Sequence, residues 1–214
     1  MSIQPVAEQI IAIAHRVAAK QLVTGTDGNI SARMPGGTIL TTPTSMHKGF
    51  VSVDDLVEVS IDGRQVRGTR QPSTEIKMHL FIYQQRPDVQ AVVHCHPVYA
   101  TGFAAAGIPM TNNVFPEVII GIGEIPLAPY ATPSTEEVVE SLRPFITGHD
   151  AILLANHGAV SCGVDLWDAC FKMEKLEQTA HMLFVAELLG GARQLSADQT
   201  VRLKRLATTV YNKK

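Results

Sequence analysis

The chain reads as a single α/β domain, residues 1–214, built on a mixed, largely antiparallel sheet covered by helices. Three observations predict this. Apolar runs of strand length interleave with segments whose apolar residues recur at helical spacing. Several neighbouring strand candidates are joined by turns too short for a parallel crossover, which needs a dozen or more residues. No repeat, low-complexity tract or Pro/Ser-rich linker divides a chain whose length suits one substantial core.

The elements follow in order. Residues 5–22 place Val6, Ile10, Ile13 and Val17 on one helical face. GTDGNISARM supplies a glycine-rich turn and a strand, and TILTTPT a second strand. Leu56 to Ile61 alternates and ends at Asp62-Gly63, a hairpin signal. Pro72-Ser73 opens a helix to about Gln85, with Ser73 as its cap, stopped by Arg86-Pro87. VQAVVHCH is a valine-rich strand, and PVYATGFAAAG is the helix after it. Residues 108–133, rich in Gly, Pro and Ile, read as irregular segments around short strands. Ser134 and Glu137 form a capping box for a helix to about Leu142. DAILLANHG is a buried strand, AVSCG follows after a tight turn, and helices over 165–189 and 196–211 close the chain.

A formal net charge of −2 gives no general electrostatic case for nucleic acid or an anionic membrane surface, so any phosphate binding must be local. The N-terminus lacks the charged flank and apolar run of a signal peptide, and no apolar stretch approaches a membrane span. Three cysteines, Cys95, Cys162 and Cys170, show no framework spacing and suit a reducing cytoplasm. Without a GxGxxG or Walker loop, NAD and ATP have no support.

The chemistry concentrates at His94-Cys95-His96. Residues two apart on a strand share a face, so the two imidazoles converge while Cys95 points away. His157 follows a second apolar strand in Asn156-His157-Gly158. Any one of these histidines alone is better explained as a hydrogen-bonded or surface residue. Together, three imidazoles with an open position are the ligand set of a catalytic zinc site, whereas a structural site is usually closed by thiolates.

Pro72-Ser73-Thr74-Glu75 is the other half. An acid at a helix start ordinarily answers the macrodipole. If this turn faces the metal, Glu75 is a fourth ligand and then a general base once substrate displaces it. His79, one turn later, is either a support for that site or a packed core histidine. Three hydroxyl- and glycine-rich stretches, residues 25–29, 41–45 and 73–74, lie at turns or helix starts, where free backbone N–H groups cradle anions. Ordinary turn chemistry accounts for each one taken alone.

GTDGNIS, TTPTS, PSTE, RPDVQAVVHCHPVYAT and LLANHGAVSCG before a long helix, in this order and spacing, resemble the class II aldolases of the aldolase/adducin family across nearly the whole chain. The resemblance implies one αβα layered domain in a fourfold homotetramer with active sites between subunits. It implies one Zn2+ per subunit on Glu75, His94, His96 and His157, with Glu75 as the catalytic acid/base. It assigns Gly28, Asn29, Thr44, Ser45, Ser73 and Thr74 to the substrate's phosphate. The implied reaction cleaves a ketose 1-phosphate of the fuculose, 5-deoxyribulose or methylthioribulose kind to dihydroxyacetone phosphate and an aldehyde.

There are departures. Phe115 stands nearest in kind to a family tyrosine that faces the aldehyde half, Ser45 replaces a glycine, and Tyr211 is the candidate for a second tyrosine. Methylthioribulose-phosphate dehydratases share the metal set and are an alternative. Pentulose-phosphate 4-epimerases, with an aspartate in place of Glu75, and sugar-acid phosphate decarboxylases, with a lysine, are weakened by that glutamate. An adducin-type assembly domain expects lost histidines, and all three are present.

Overall fold

The computed structural model describes residues 4–111 and 113–211. Its centre is one eight-stranded sheet: β1 (Asn29–Arg33), β2 (Ile39–Thr41), β3 (Val57–Val59), β4 (Gln65–Arg67), β5 (Ala91–Cys95), β6 (Leu127–Ala128), β7 (Ala151–Leu154) and β8 (Gly158–Gly163). The spatial order is β4-β3-β2-β1-β5-β8-β7-β6. Every pairing is antiparallel except β6 on β7, so the sheet is mixed and largely antiparallel as expected.

Period-two alternation sorts the strands between two cores. Ala91, Val93 and Cys95 face one side, with Ile30, Leu153 and Ala159. Helices α1 (Gln4–Ala19), α3 (Val98–Ala105) and α6 (Leu166–Leu188) cover it with Ile10, Ile13, Ala100, Met173 and Leu176. Val92, Ile152 and Val160 face the other side, under α2 (Ile76–Gln85) and α5 (Glu136–Leu142), which supply Met78, Ile82, Val139 and Leu142. The result is an αβα sandwich. Each fully buried aliphatic contributes roughly 1.5–3 kcal/mol, which holds the strand ends, and what they carry, in fixed positions.

Three local expectations change. α2 begins at Ile76, not at Ser73; Ser73 Oγ instead accepts from the Glu75 N–H, and Glu75 itself takes the cap position. The α5 cap is Thr135, because Ser134 is in the left-handed region with φ of 66°. Within the glycine-rich middle a short helix, α4 (Pro116–Gly121), forms with proline in its first turn. The closing helix, α7 (Ala197–Thr209), follows a capping box of Ser196 and Gln199. Among the described residues no helix is long and apolar enough to cross a membrane.

Candidate metal centre

The expected ligands meet at one end of the central strands. His94 is the fourth residue of β5 and is fully buried; His96 lies just past the strand end. His157 sits in the tight turn between β7 and β8, where Asn156 adopts φ of 56° so that the chain can reverse. Glu75 approaches from the start of α2. One donor atom from each of the four lies within 4.8 Å of the others. Tetrahedral ligands at 2.0–2.1 Å from zinc sit about 3.3 Å apart, so the cluster has the right scale.

Glycine makes this convergence possible at two places. A Cβ on Gly158 would meet the Cys95 carbonyl oxygen at 2.5 Å and His96 Cδ2 at 2.6 Å. On Gly28, whose φ is 72°, it would meet the His94 carbonyl oxygen at 2.7 Å. Both residues let backbone pass where the histidine strand needs the space.

Protonation follows from the partners. His94 Nδ1 lies 2.9 Å from the Ala159 carbonyl oxygen, which only accepts, so Nδ1 carries a proton and the ring, in its neutral form, would present Nε2 to a metal. His96 turns Nδ1 toward Asp27 Oδ2 at 3.6 Å, which favours the same tautomer. The two Nε2 atoms face each other at 3.0 Å. Glu75 adds negative oxygens, Oε2 at 3.2 Å from His94 Nε2 and Oε1 at 3.2 Å from His157 Nε2. Glu75 Oε1 is buried without a hydrogen bond. Acceptors crowded around one point in this way fit a cation.

The electrostatics agree. Burial would push the Glu75 carboxyl up, but His94 and His157 hold it far below the usual carboxylate range. Burial would push His94 down, and Glu75 outweighs it to hold the ring above its ordinary value. His96 falls to about 4, first through burial and then through the other two histidines. His79, fully buried, bonds Ser31 Oγ through Nδ1 at 2.7 Å, and Ser31 meets the Tyr83 hydroxyl at 2.8 Å. Burial, then His94, pulls His79 down to about 3. It is a core histidine behind the site. Cys95 is buried on the opposite face, as alternation requires, and burial pushes its thiol up.

The three hydroxyl- and glycine-rich loops are drawn to this same end. Ile30 N–H donates to Thr42 Oγ1 at 3.1 Å, and Pro43 pairs with Pro72 in an isolated bridge. These two contacts join the segment after Asn29 to the one before Thr44 and Ser45, and that in turn to the residue before Ser73 and Thr74. Ser45 adopts φ of 55° and is exposed. Within the stretches expected to offer open N–H groups, those of Asp27, Thr42 and Thr44 are engaged, donating to the carbonyls of Thr24, Ile30 and Gln71, and beside them the Glu75 N–H donates to Ser73 Oγ. The Asn29 side-chain amide donates to Glu75 Oε2 at 3.1 Å, which leaves Asn29 Oδ1 buried without a partner.

Two tyrosine-related positions lie elsewhere. Phe115 caps α4 and lines an apolar groove with Met182 and Val185. Tyr211 lines a cavity of about 1020 Å³ with Arg86, Asp150 and Lys172, at the opposite end of the strands from the histidines. Two participants escaped the sequence reading. Asp27 sat unremarked inside the glycine-rich turn. Ser134, whose hydroxyl donates to Thr74 Oγ1 at 2.9 Å, carries no local signal for a partner sixty residues away.

Comparison with known proteins agrees with this geometry. Residues 8–184 match the family model described as Class II Aldolase and Adducin N-terminal domain. A 3-oxo-tetronate 4-phosphate decarboxylase of Escherichia coli O6:H1 is 35% identical over 207 residues, 94% of this chain and 96% of that one. An L-fuculose phosphate aldolase of Methanococcus maripaludis is 33% identical over 177 residues, 83% of this chain and 95% of that one. A solved L-fuculose 1-phosphate aldolase superposes with a TM-score of 0.89 at 28% identity, covering 96% of this chain and 97% of the other. With its family model, its full-length relatives and its converged histidines in agreement, the chain belongs to the Class II Aldolase and Adducin N-terminal domain family and is one of its enzymes.

Proposed function

We propose that this enzyme is a zinc-dependent aldolase that cleaves a ketose 1-phosphate to dihydroxyacetone phosphate and an aldehyde. The reading rests chiefly on Glu75, an ionised carboxylate held among three imidazoles whose nitrogens face one point. Imidazole and carboxylate donors together suit zinc. A bound zinc ion polarises the substrate carbonyl and offsets the negative charge that develops on its oxygen. Asp27 and the Ala159 carbonyl hold the His96 and His94 rings in the tautomer that such an ion needs.

Glu75 takes the proton of the hydroxyl on the carbon being released. The C–C bond then breaks, its electron pair passes toward the ketone oxygen, and the aldehyde leaves. The acid form of Glu75 returns the proton to carbon. Gly28, Asn29, Thr44, Ser45, Ser73 and Thr74 hold the phosphate, with the start of α2 adding its positive end. The reading includes a homotetramer with active sites between subunits; Tyr211 lines the far cavity of its own chain.

Decarboxylation is the second reading, favoured by relatives named 3-oxo-tetronate 4-phosphate decarboxylase that match along almost the whole chain. Loss of carbon dioxide from such an acid leaves the same electron pair beside the same ketone, and protonation gives dihydroxyacetone phosphate again. It needs no base, only an acid for the carbon. The two readings therefore share one phosphorylated half and differ in what departs. Incubating the zinc-loaded enzyme with fuculose, 5-deoxyribulose and methylthioribulose 1-phosphates and with 3-oxo-tetronate 4-phosphate decides between them. We expect triose phosphate and aldehyde in equal amounts. Triose phosphate with carbon dioxide only would replace the aldolase reading by decarboxylation, and consumption without triose phosphate would reject both.

A further inference from the structure

Lys48 takes no part in the chemistry above, yet it is buried, with 1% of its surface exposed. It opens a single 3-10 turn, Lys48–Phe50, that is fastened to the first helix. His15 Nε2 meets the Val51 carbonyl oxygen at 3.0 Å, and a Cβ on Gly49 would lie 3.5 Å from that of Ala18. From this fixed base the ammonium donates to two carbonyls, that of Thr26 at 3.0 Å and that of Met46 at 2.7 Å. Among the described residues no carboxylate forms an ion pair with it.

The positions of those carbonyls matter. Thr26 is in the glycine-rich turn immediately before Gly28 and Asn29, and Met46 directly follows Thr44 and Ser45. One ammonium therefore spans the two loops assigned above to the phosphate. A buried cation without a carboxylate partner costs stability, and a methionine of similar length would fill the space without that cost. Burial pulls the Lys48 pKa below its ordinary value, with Cys95 and Asp27 acting in the other direction. The two carbonyl bonds satisfy two of the three donor hydrogens and leave the charge without an ion-pair partner, beneath loops that would receive an anion.

We propose that Lys48 is a positioning residue of the phosphate subsite: it fixes the spacing of residues 25–29 and 42–46 so that both loops close on one anion, and its unpaired charge favours that anion. The proposal rests on the reading of these loops as phosphate-binding. Lys48 touches neither the substrate nor the metal.

The test uses inorganic phosphate as probe on the full-length, zinc-loaded enzyme. Phosphate affinity is measured by calorimetry, zinc stoichiometry by atomic absorption, and loop protection by amide hydrogen exchange. In the unaltered protein, phosphate is expected to slow exchange in both loops together. Lys48→Met should weaken phosphate binding at least tenfold with zinc stoichiometry unchanged, and Lys48→Arg should recover it to within about threefold of the unaltered protein. Phosphate affinity unchanged in Lys48→Met overturns the role of Lys48 while leaving the phosphate loops standing. Parallel loss of zinc and phosphate overturns it in favour of a general structural role. If Lys48→Met does not fold, exchange in the unaltered protein decides, and protection confined to one loop overturns the proposal. An unaltered protein that binds no phosphate removes both the loop reading and the proposal.

Discussion

The two ends of the central strands both gather ionisable side chains, on opposite terms. At the end away from the histidines, Lys172 lies between Asp150 at 2.8 Å and Asp168 at 2.7 Å. Arg86 lies between Asp88 at 2.7 Å and Asp150 at 2.9 Å. Burial would lower the Lys172 pKa and raise that of Asp150, yet their mutual bonds reverse both shifts. Each cation there has its anions. At the other end, three imidazoles and Glu75 turn acceptors toward one another, and Glu75 Oε1 has no hydrogen bond. Matched charges stabilise a fold, whereas mismatched acceptors cost stability until a ligand arrives. The mismatch, more than the number of charges, distinguishes the end that carries the candidate metal centre.

The largest expected effects exploit this difference. Replacing His94, His96 and His157 together by alanine should abolish stoichiometric zinc binding and lower turnover by a factor of ~1000 or more. Glu75→Gln should keep the fold and most of the metal but lose turnover by ~100-fold or more, the usual scale for a general acid/base. Zinc retained at full stoichiometry in the triple variant would disprove the centre.

The convergence of Glu75 with the three histidines was largely legible in the sequence because much of its geometry is local. His94 and His96 share a strand face by period two, and His157 and Gly158 sit in one tight turn. The layered sheet was legible too, from alternation and short turns. What was not legible depends on distant partners or on single backbone angles. Ser134 left its expected cap position because its φ is positive. Ser73 gave up the cap because Glu75 had to turn toward the histidines. α4 hides in a Gly-Ile-rich stretch without helical periodicity, although Pro116 marks its first turn. Lys48 and Asp27 carry no motif, and their partners are carbonyls and a ring brought near only by folding.

The matched end supplies the next test. Lys172→Met leaves Asp150 and Asp168 without the ammonium between them, and should destabilise the protein by about 3 kcal/mol, the low end for a broken buried pair because Asp150 is partly open to water. Zinc content and turnover per folded molecule should stay within a factor of about two. This separates it from the histidine variant, which loses zinc and turnover. A Lys172→Met protein of parental stability in urea, or one that loses zinc, would erase the distinction between the two ends.

The smallest effect separates the ends by pH. His79 is held at about 3 in the folded protein, against about 6.5 for a free histidine. Between those values the unfolded chain binds a proton that the folded one refuses, so stability rises with pH across the window. The contribution is fully present above about pH 6.5 and is lost as pH falls toward 3, on the order of 2 kcal/mol by pH 5. His96, at about 4, has the same sign. His94, raised in the fold, has the opposite sign, its contribution being present at low pH and lost as pH rises. Comparing metal-stripped parent with His79→Asn cancels both, since they are common to the two proteins. The parent should therefore lose stability relative to His79→Asn between pH 6.5 and 5 in urea titrations. Asp150, whose pKa is lowered, contributes above the ordinary carboxylate range and weakens only at more acid pH. Lys172→Met should accordingly run parallel to the parent over the same window. Parallel curves for parent and His79→Asn would mean that folding does not lower the pKa of His79.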